Sequence, residues 1–399
     1  MIKVPCECLD FVEALHKDKV YPVMYCHMKL KGHFDIDRLK KAIWQTAKHV
    51  PEILYVYDFK HTVFRDAGYT ADDVILWNEA LYLWDLGCRP QLQININRQE
   101  QQDIVTIGMS HILTDGNGFL QYLYLLSSVY HQPQIDTSRT NKRDIAPLLK
   151  NIRIQKTAKP SGREKTQPVH PLRNDGDGKH YFCITERISE NDFFALRKKS
   201  QMERVTLNDV FLTAYGRVIA RQKDVDMVSL PCPADLRRFC PAMTDQLSIA
   251  NMTGIYKKIT IPIRPQHSFS DTLLQVHTEM EQQKSHFLCY KGIRPLYFLF
   301  HKIPKSLLKK AVDINYHPSP VSYTNIGQID HRKLYFQNCQ IETCYMTGTY
   351  RLPPDFQLSI SSFRNVCTLN CTLIGTIQDQ QTGYNILKLV KEELLDWVK

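Results

Sequence analysis

The sequence predicts an α/β (α+β) protein of two lobes, in which helices pack on mixed sheets. Three observations support this prediction. The chain has 399 residues, which is long for a single core of ordinary size. Strand-like and helix-like segments alternate irregularly in both halves. A basic segment separates the halves, which gives an N-terminal lobe at 1–136, a crossover linker at 137–179 and a C-terminal lobe at 180–399.

The N-terminal half opens with a predicted strand, a turn at Gly32 and a helix that ends before Pro51, because proline cannot continue the hydrogen-bond ladder. Small or apolar residues recur along this helix at helical spacing: Ile36, Leu39, Ile43, Thr46, Ala47 and Val50. Further strands are predicted at 53–58, 61–65, 92–98 and 103–109. The last of them leads directly to His111, and a glycine-containing turn then begins another predicted helix.

The C-terminal half begins with a predicted strand at 180–188, followed by two helices. Ser189 with Asp192, and Thr206 with Asp209, have the spacing of N-terminal helix caps. The remaining predicted elements are strands at 226–233, 254–263, 319–327, 333–345, 356–363 and 366–377, and helices at 270–283 and 385–398.

The composition is that of a globular protein without a membrane span. Hydrophobic residues make up 43% and charged residues 23%, and no apolar run reaches signal-peptide or bilayer length, so we expect a cytoplasmic location. Twelve scattered cysteines indicate reduced, mostly buried thiols. No glycine-rich phosphate loop follows a strand, and Cys6 with Cys8 lacks a companion pair at zinc-site spacing. We therefore predict neither a cofactor nor a metal.

Residues 137–173 carry +8 of the formal net charge of +10, because ten Lys or Arg face only Asp144 and Glu164. The favoured interpretation is a solvated linker. Alternatively, the segment attracts ligand phosphates, an acidic carrier protein or an anionic membrane. It lacks the aromatic residues that nucleic-acid binding would use.

His111 lies where an apolar strand meets the turn "TDGNG", and such positions are common for reactive groups. A neutral imidazole can take a proton near neutral pH. The alternative is a core histidine followed by a helix-capping Asp115. A nucleophile elbow at "GMSHI" is excluded, because Ile112 replaces its last glycine and Ser110 points to the opposite face from His111.

"SHILTDGNG" at 110–118 resembles the H-x-x-x-D-G signature of the chloramphenicol-acetyltransferase-like superfamily, which includes condensation domains and alcohol acetyltransferases. Other segments resemble the superfamily in the same order: the first strand and helix at 31–53, the T-x-N-D helix at 206–219, the P-x-D-x-R segment at 230–239, the strand entry at 247–254, and at 319–329 a strand of the alcohol-acetyltransferase branch. The resemblance implies a two-lobed fold with a channel between the lobes.

The resemblance also implies residue roles. His111 would be the general base, and Asp115 would turn inward to a buried arginine, Arg237 or alternatively Arg238. Gly116 would keep the channel free of a side chain. The hydroxyl or amide that stabilises the oxyanion would come from "SYTNIG", with Asn325 first and Thr324 or Ser322 as alternatives. Asn251 is open to either a structural or a site role.

Two departures limit the assignment within the superfamily. Ser110 stands where many relatives have a first histidine, and the D-F-G-W-G motif of the plant branch is absent. The leading hypothesis is an acyltransferase of EC 2.3.1 type that moves an acyl group from acyl-CoA, as substrate, to a small alcohol or amine. The alternatives are a stand-alone condensation-type enzyme that uses carrier-protein donors and a non-catalytic binding protein.

Overall fold

The computed structural model describes residues 2–80, 82–132, 140–150, 152, 154, 168–173, 179–243, 246–264, 266–315 and 317–399. Most of the predicted linker at 137–179 therefore lies outside the described residues.

Strands and helices alternate along the whole chain. The strands are β1 Lys3–Pro5, β2 Val23–Lys31, β3 Val56–Asp58, β4 Val63–Arg65, β5 Ile75–Trp77, β6 Leu92–Gln99, β7 Gln102–Ser110, β8 His180–Ile188, β9 Met227–Asp235, β10 Thr253–Pro262, β11 Val321–Ile329, β12 Gln340–Met346, β13 Phe356–Phe363 and β14 Val366–Gly375. The helices are α1 Cys8–Leu15, α2 Ile36–Ala47, α3 Gly116–His131, α4 Ala146–Leu149, α5 Glu190–Met202, α6 Leu207–Lys223, α7 Phe269–Ser285, α8 Ile293–Lys302, α9 Lys305–Asn315 and α10 Ile377–Val398.

The main N-terminal sheet has the strand order β12–β2–β7–β6–β5 among the described residues. β2, β7 and β6 are antiparallel neighbours, whereas β5 runs parallel to β6. The edge strand β12 comes from the C-terminal half and pairs antiparallel with β2, with Tyr345 opposite His27. The predicted boundary between the lobes stays a prediction, but this sheet draws on both sides of it.

The main C-terminal sheet has the order β11–β13–β14–β8, with β11 parallel to β13 and the other pairs antiparallel. β9 and β10 form a separate antiparallel pair. The predicted class, mixed sheets with packed helices, is confirmed. In the described part of the chain, no helix combines the length and the apolarity that crossing a bilayer requires.

Local sequence signals located several helices well. The hydroxyls of Ser189 and Thr206 accept hydrogen bonds from the backbone N–H groups of Asp192 and Asp209, as the cap spacing predicted. Other predictions were wrong at their boundaries. The strand predicted at 333–345 begins only at 340, and the helix predicted at 385–398 begins at Ile377, where Thr376 caps it. α1, α8 and α9 were not predicted at all.

Candidate functional site

His111 follows the last residue of β7, and its backbone is fixed while its side chain reaches solvent. Its N–H donates to the carbonyl oxygen of Pro22 at 2.7 Å, in the segment before β2. The imidazole is 24% exposed. Nδ1 is buried, which leaves Nε2 as the nitrogen that a substrate can approach. The strand end thus presents one imidazole nitrogen on a rigid backbone.

Asn251, just before β10, holds the backbone of the loop that carries His111. Its Nδ2 lies 2.9 Å from the carbonyl oxygens of both His111 and Ile112, and 2.9 Å from Oδ1 of Asp10. Asn251 is 3% exposed, so these contacts are shielded from water. Of the two roles that the sequence left open for Asn251, the geometry favours the structural one, because its amide is used by backbone and Asp10.

Arg143 holds the same loop through its guanidinium group. Its Nη2 donates to Oδ2 of Asp10 at 2.6 Å, and its Nη1 donates to the carbonyl oxygen of Leu113 at 3.1 Å. The Arg143 side chain is only 10% exposed. The prediction of a solvated linker is therefore wrong at this residue, because a buried carboxylate needs a cation beside it.

Asp115 caps α3 and pairs with an arginine from the other half of the chain. Its Oδ1 accepts from the N–H of Gly118 at 2.8 Å, and its Oδ2 accepts from Nη1 of Arg237 at 3.0 Å. The N–H of Met252 donates to the same Oδ2 at 2.7 Å. The structure brings Asp115 to Arg237, which is 5% exposed, whereas Arg238 is exposed to solvent.

The electrostatics of Asp115 follow from these contacts. Burial alone would raise the pKa of its carboxyl, but the charge and hydrogen bonds of Arg237 and the N–H groups of Gly118 and Met252 outweigh burial and lower it. Arg237 also donates to the carbonyl oxygens of Ser248 and Ala250, at 2.8 Å each. Asp115 is thus an ionised, fully used carboxylate that fixes the loop.

The steric need for glycine falls on Gly118 rather than on Gly116. A Cβ at Gly118 would lie 2.0 Å from Oγ1 of Thr114 and 3.0 Å from the carbonyl oxygen of Ala250. A Cβ at Gly116 would meet only Cγ1 of Ile326 at 3.5 Å, an ordinary contact. The expected channel-clearing role of Gly116 is not supported, because the space beside it accepts a methyl group.

Glu13, on α1, faces the buried side of the imidazole. Its Oε2 lies 4.0 Å from Nδ1 of His111, and this carboxylate is 35% exposed. Nδ1 has no hydrogen-bond partner among the described residues, and an approach of about 1 Å by the Glu13 carboxylate would form a hydrogen bond. A carboxylate there favours the tautomer that carries its proton on Nδ1 and a lone pair on Nε2.

The two faces of β11 separate the candidate oxyanion donors. Nδ2 of Asn325 and the hydroxyl of Tyr323 both contact Oδ1 of Asn208 at the start of α6, at 3.4 and 3.0 Å. Thr324 lies on the opposite face and is paired with Ser359 in the sheet. Oγ of Ser359 accepts from the N–H of Gly348, which follows β12 in the N-terminal sheet, so this face is directed to the N-terminal lobe.

The structure therefore directs Asn325 away from the lobe that carries His111. Its Oδ1 accepts from the N–H of Gly327 at the bulge of β11, which uses the other end of the amide. Ser322, the second alternative, donates to the carbonyl oxygen of Phe356 at 3.4 Å. Thr324 lies on the face of β11 directed to the N-terminal lobe, and its hydroxyl has no hydrogen-bond partner among the residues that the structure describes.

A cleft of about 770 Å³ opens next to the segment that leads into Pro22. Its lining includes Lys17, Tyr21, Phe59 and Trp84. The hydroxyl of Tyr21 donates to the carbonyl oxygen of Trp84, and the indole N–H of Trp84 donates to that of Pro90, each at 2.7 Å. The lining also includes charged side chains, and His111 is not part of it.

Sequence reasoning missed three residues around His111: Asp10, Glu13 and Arg143. The first two lie in "CLDFVEAL", where apolar residues recur at helical spacing around two acidic positions. That pattern was a usable signal for α1. Nothing local marks Arg143, because its neighbours in sequence are polar and its partner Asp10 is distant in the chain.

No protein-family profile matches the chain, and no curated protein sequence matches it. Solved structures do match. Polyketide synthase associated protein 5 from Mycobacterium tuberculosis is 14% identical with a TM-score of 0.70, over 99% of this chain and 100% of that one. TRI3 trichothecene 15-O-acetyltransferase from Fusarium sporotrichioides is 12% identical with a TM-score of 0.68, over 98% and 94%.

The condensation domain of the Monacolin K polyketide synthase MokA is 12% identical with a TM-score of 0.67, over 100% of this chain and 98% of that one. At such identities the likeness establishes the fold alone. The chain has the two-lobed fold of condensation domains and of this acetyltransferase, as its sequence resemblance implied.

Proposed function

We propose that this chain is an acyltransferase that moves an acyl group from an acyl-CoA thioester to a hydroxyl or amine acceptor, with His111 as the general base. The observation that carries the proposal is the difference in accessibility between the histidine and the aspartate of the H-x-x-x-D-G loop. The imidazole of His111 is reachable through Nε2, while Asp115 is buried and occupied by Arg237. One group is left free for chemistry and the other fixes the loop.

In the proposed reaction, Nε2 of His111 takes the proton from the acceptor O–H or N–H as the acceptor attacks the thioester carbonyl carbon. A C–O or C–N bond forms, and the carbonyl oxygen gains the negative charge. Collapse of this tetrahedral intermediate breaks the C–S bond, and the imidazolium returns its proton to the leaving thiolate. Acyl ester or amide and free coenzyme A are the products, with no net change in protons.

Two further residues support this sequence of events. The hydroxyl of Thr324, on the face of β11 directed to the N-terminal lobe, is our candidate for the oxyanion donor. Glu13 sits on the Nδ1 side of His111 and stabilises the positive charge that the ring gains when Nε2 is protonated.

The test is release of free coenzyme A, measured by mass spectrometry because twelve protein cysteines would react with a thiol dye. The parent protein is incubated with acetyl to palmitoyl thioesters and a mixture of alcohols and amines. We expect release by the parent and by His61→Ala, an exposed histidine of the same half, and no release by His111→Ala. Release that persists in His111→Ala would contradict the assignment of the base.

A second arm separates the donor classes. The chain matches 98% of a condensation domain, a class of enzyme whose fold it shares, so the same acyl groups are also presented on a carrier protein. Turnover only with the carrier-bound donor would replace coenzyme A in the proposal and keep His111. If the parent releases neither thiol and His111→Ala changes only stability, the acyltransferase proposal fails and the alternative of a non-catalytic binding protein is favoured.

A further inference from the structure

α8 and α9 form a helical pair on the surface that exposes large apolar side chains. Phe298 is 60% exposed, Leu307 54% and Ile314 75%. Such exposure means that the side chains protrude into solvent instead of lining a groove. Leu307 and Ile314 are seven residues apart and so share one face of α9.

Positive charge surrounds these side chains. Residues 291–315 hold six Lys or Arg and only one acidic residue, Asp313, which gives a formal charge of +5. Lys302, Lys309 and Lys310 are exposed, and Lys310 lies between Leu307 and Ile314 on the same face of α9. Apolar side chains that protrude among lysines can enter a membrane interface while the lysines contact anionic lipid head groups.

The pair is anchored to the protein by its other face. Leu308 and Val312 of α9 are buried, and Phe300 of α8 packs edge-on against Phe11 of α1 with ring centroids 5.8 Å apart. Arg294 donates to the carbonyl oxygen of Leu149 at 2.7 Å. The exposed apolar residues are therefore held on a fixed platform, and their exposure is not a consequence of loose packing.

We propose that α8 and α9 dock this protein on an anionic lipid surface, with Phe298, Leu307 and Ile314 entering the interface and the lysines contacting lipid phosphates. Charge complementarity selects this occupant. A second copy of the chain would bring the same positive charge against itself. Protruding, separated side chains also suit a fluid interface better than the complementary surface of a folded partner.

α1 lies between this surface and the loop that carries His111. α8 packs on α1, and α1 carries Glu13 at 4.0 Å from the imidazole of His111. The docking proposal does not depend on the proposed reaction, because it can be measured without turnover.

The experiment is co-sedimentation with vesicles of phosphatidylcholine alone or with about 30 mol % phosphatidylglycerol, at about 0.1 M salt. We expect the full-length protein to bind the anionic vesicles and not the neutral ones. The affinity for anionic vesicles should fall by at least about tenfold in each of two triple variants. These are Phe298→Ser/Leu307→Ser/Ile314→Ser and Lys302→Gln/Lys309→Gln/Lys310→Gln. All six positions are exposed, so both variants should unfold at the parent's urea midpoint.

The matched control is Phe194→Ser on α5, where an equally exposed aromatic ring (62%) lies on a helix with nearly balanced charge. It should bind like the parent. Failure of the parent to bind anionic vesicles would overturn the proposal. Full binding by either triple variant would overturn it too, because binding would then not depend on these side chains.

Discussion

Oδ2 of Asp115 and Nη1 of Arg237 meet at 3.0 Å, although 122 positions separate the two residues in the chain. The pair joins the loop that carries His111 to the segment after β9. Both side chains are almost fully buried, so each depends on the other for its charge. Removing one partner from a buried pair leaves the other uncompensated.

We expect Arg237→Met to lower the free energy of unfolding by about 3–5 kcal/mol at pH 7, measured by urea denaturation. The stabilisation exists above the unfolded-state pKa of an aspartate, about 3.9, and is lost as the pH falls through the lowered folded-state pKa of Asp115. The difference between parent and variant should therefore shrink in acid. Arg332→Gln is the control, because Arg332 is 80% exposed beside Asp330, and it should leave the free energy of unfolding nearly unchanged.

We expect Asn251→Asp to be strongly destabilising although the two side chains have nearly the same shape. The substitution removes the N–H donors that hold the carbonyl oxygens of His111 and Ile112 and places a second carboxylate against Asp10. A loss of about 3 kcal/mol or more at pH 7 is expected from thermal or urea unfolding. A stability equal to the parent's would show that these backbone contacts are not needed.

Glu13→Gln tests whether the carboxylate supports His111. We expect kcat to fall about tenfold with little change in KM, because the charge acts on the imidazolium in the transition state and not on bound substrate. Asp18→Asn is the control, since Asp18 is highly exposed and contacts only Lys17 among the described side chains. Unchanged kcat in Glu13→Gln would remove Glu13 from the mechanism.

Thr324→Val removes a hydroxyl and keeps the side-chain volume. If Thr324 donates to the oxyanion, kcat should fall about 100-fold, while Thr324→Ser should keep most of the activity. Asn325→Ala should act mainly on stability, because its amide bonds Asn208 and Gly327. Full activity in Thr324→Val together with loss in Asn325→Ala would reverse the assignment.

His27 predicts a pH dependence of stability. Burial lowers the pKa of its imidazole to about 4, although the ring keeps some accessible surface. The unfolded chain therefore binds more protons than the folded one between about pH 6.5 and 4, so stability should fall as the pH falls through that window. The contribution is at most about 3 kcal/mol.

We expect His27→Gln to flatten the curve of unfolding free energy against pH in that window, measured by urea denaturation. Gln keeps a polar atom for Oγ1 of Thr106, which lies 3.1 Å from Nδ1 of His27. The exposed His317→Gln serves as the control and should leave the slope unchanged. A slope in His27→Gln that equals the parent's would show that other groups set the acid sensitivity.

Local signals were sufficient for elements whose ends are fixed by neighbouring residues. The cap pairs at Ser189 and Thr206 predicted the starts of α5 and α6, since each cap acts within one helical turn. α8 was not predicted, because the apolar and aromatic run around Phe298 is equally compatible with a buried strand. Only its packing on α1 decides between the two.

In the site too, the sequence predicted some residues, whereas others depend on contacts between distant parts of the chain. The pairing of Asp115 with Arg237 followed from a resemblance in sequence order. The choice between Thr324 and Asn325 depends on which face of β11 is directed to the N-terminal lobe, and a strand sequence does not state that. Arg143 was missed for a related reason, because its burial depends on Asp10, from the opposite end of the N-terminal half.

The C-terminal half supplies β12 to the N-terminal sheet, and this has a consequence during synthesis. β2 is complete once residue 31 has been made, but its outer neighbour spans Gln340–Met346. Until those residues leave the ribosome, one side of β2 presents unpaired backbone groups that other chains could join. Fragments that end before residue 340 should therefore aggregate, and the two lobes cannot be produced as independent pieces by cutting at the crossover.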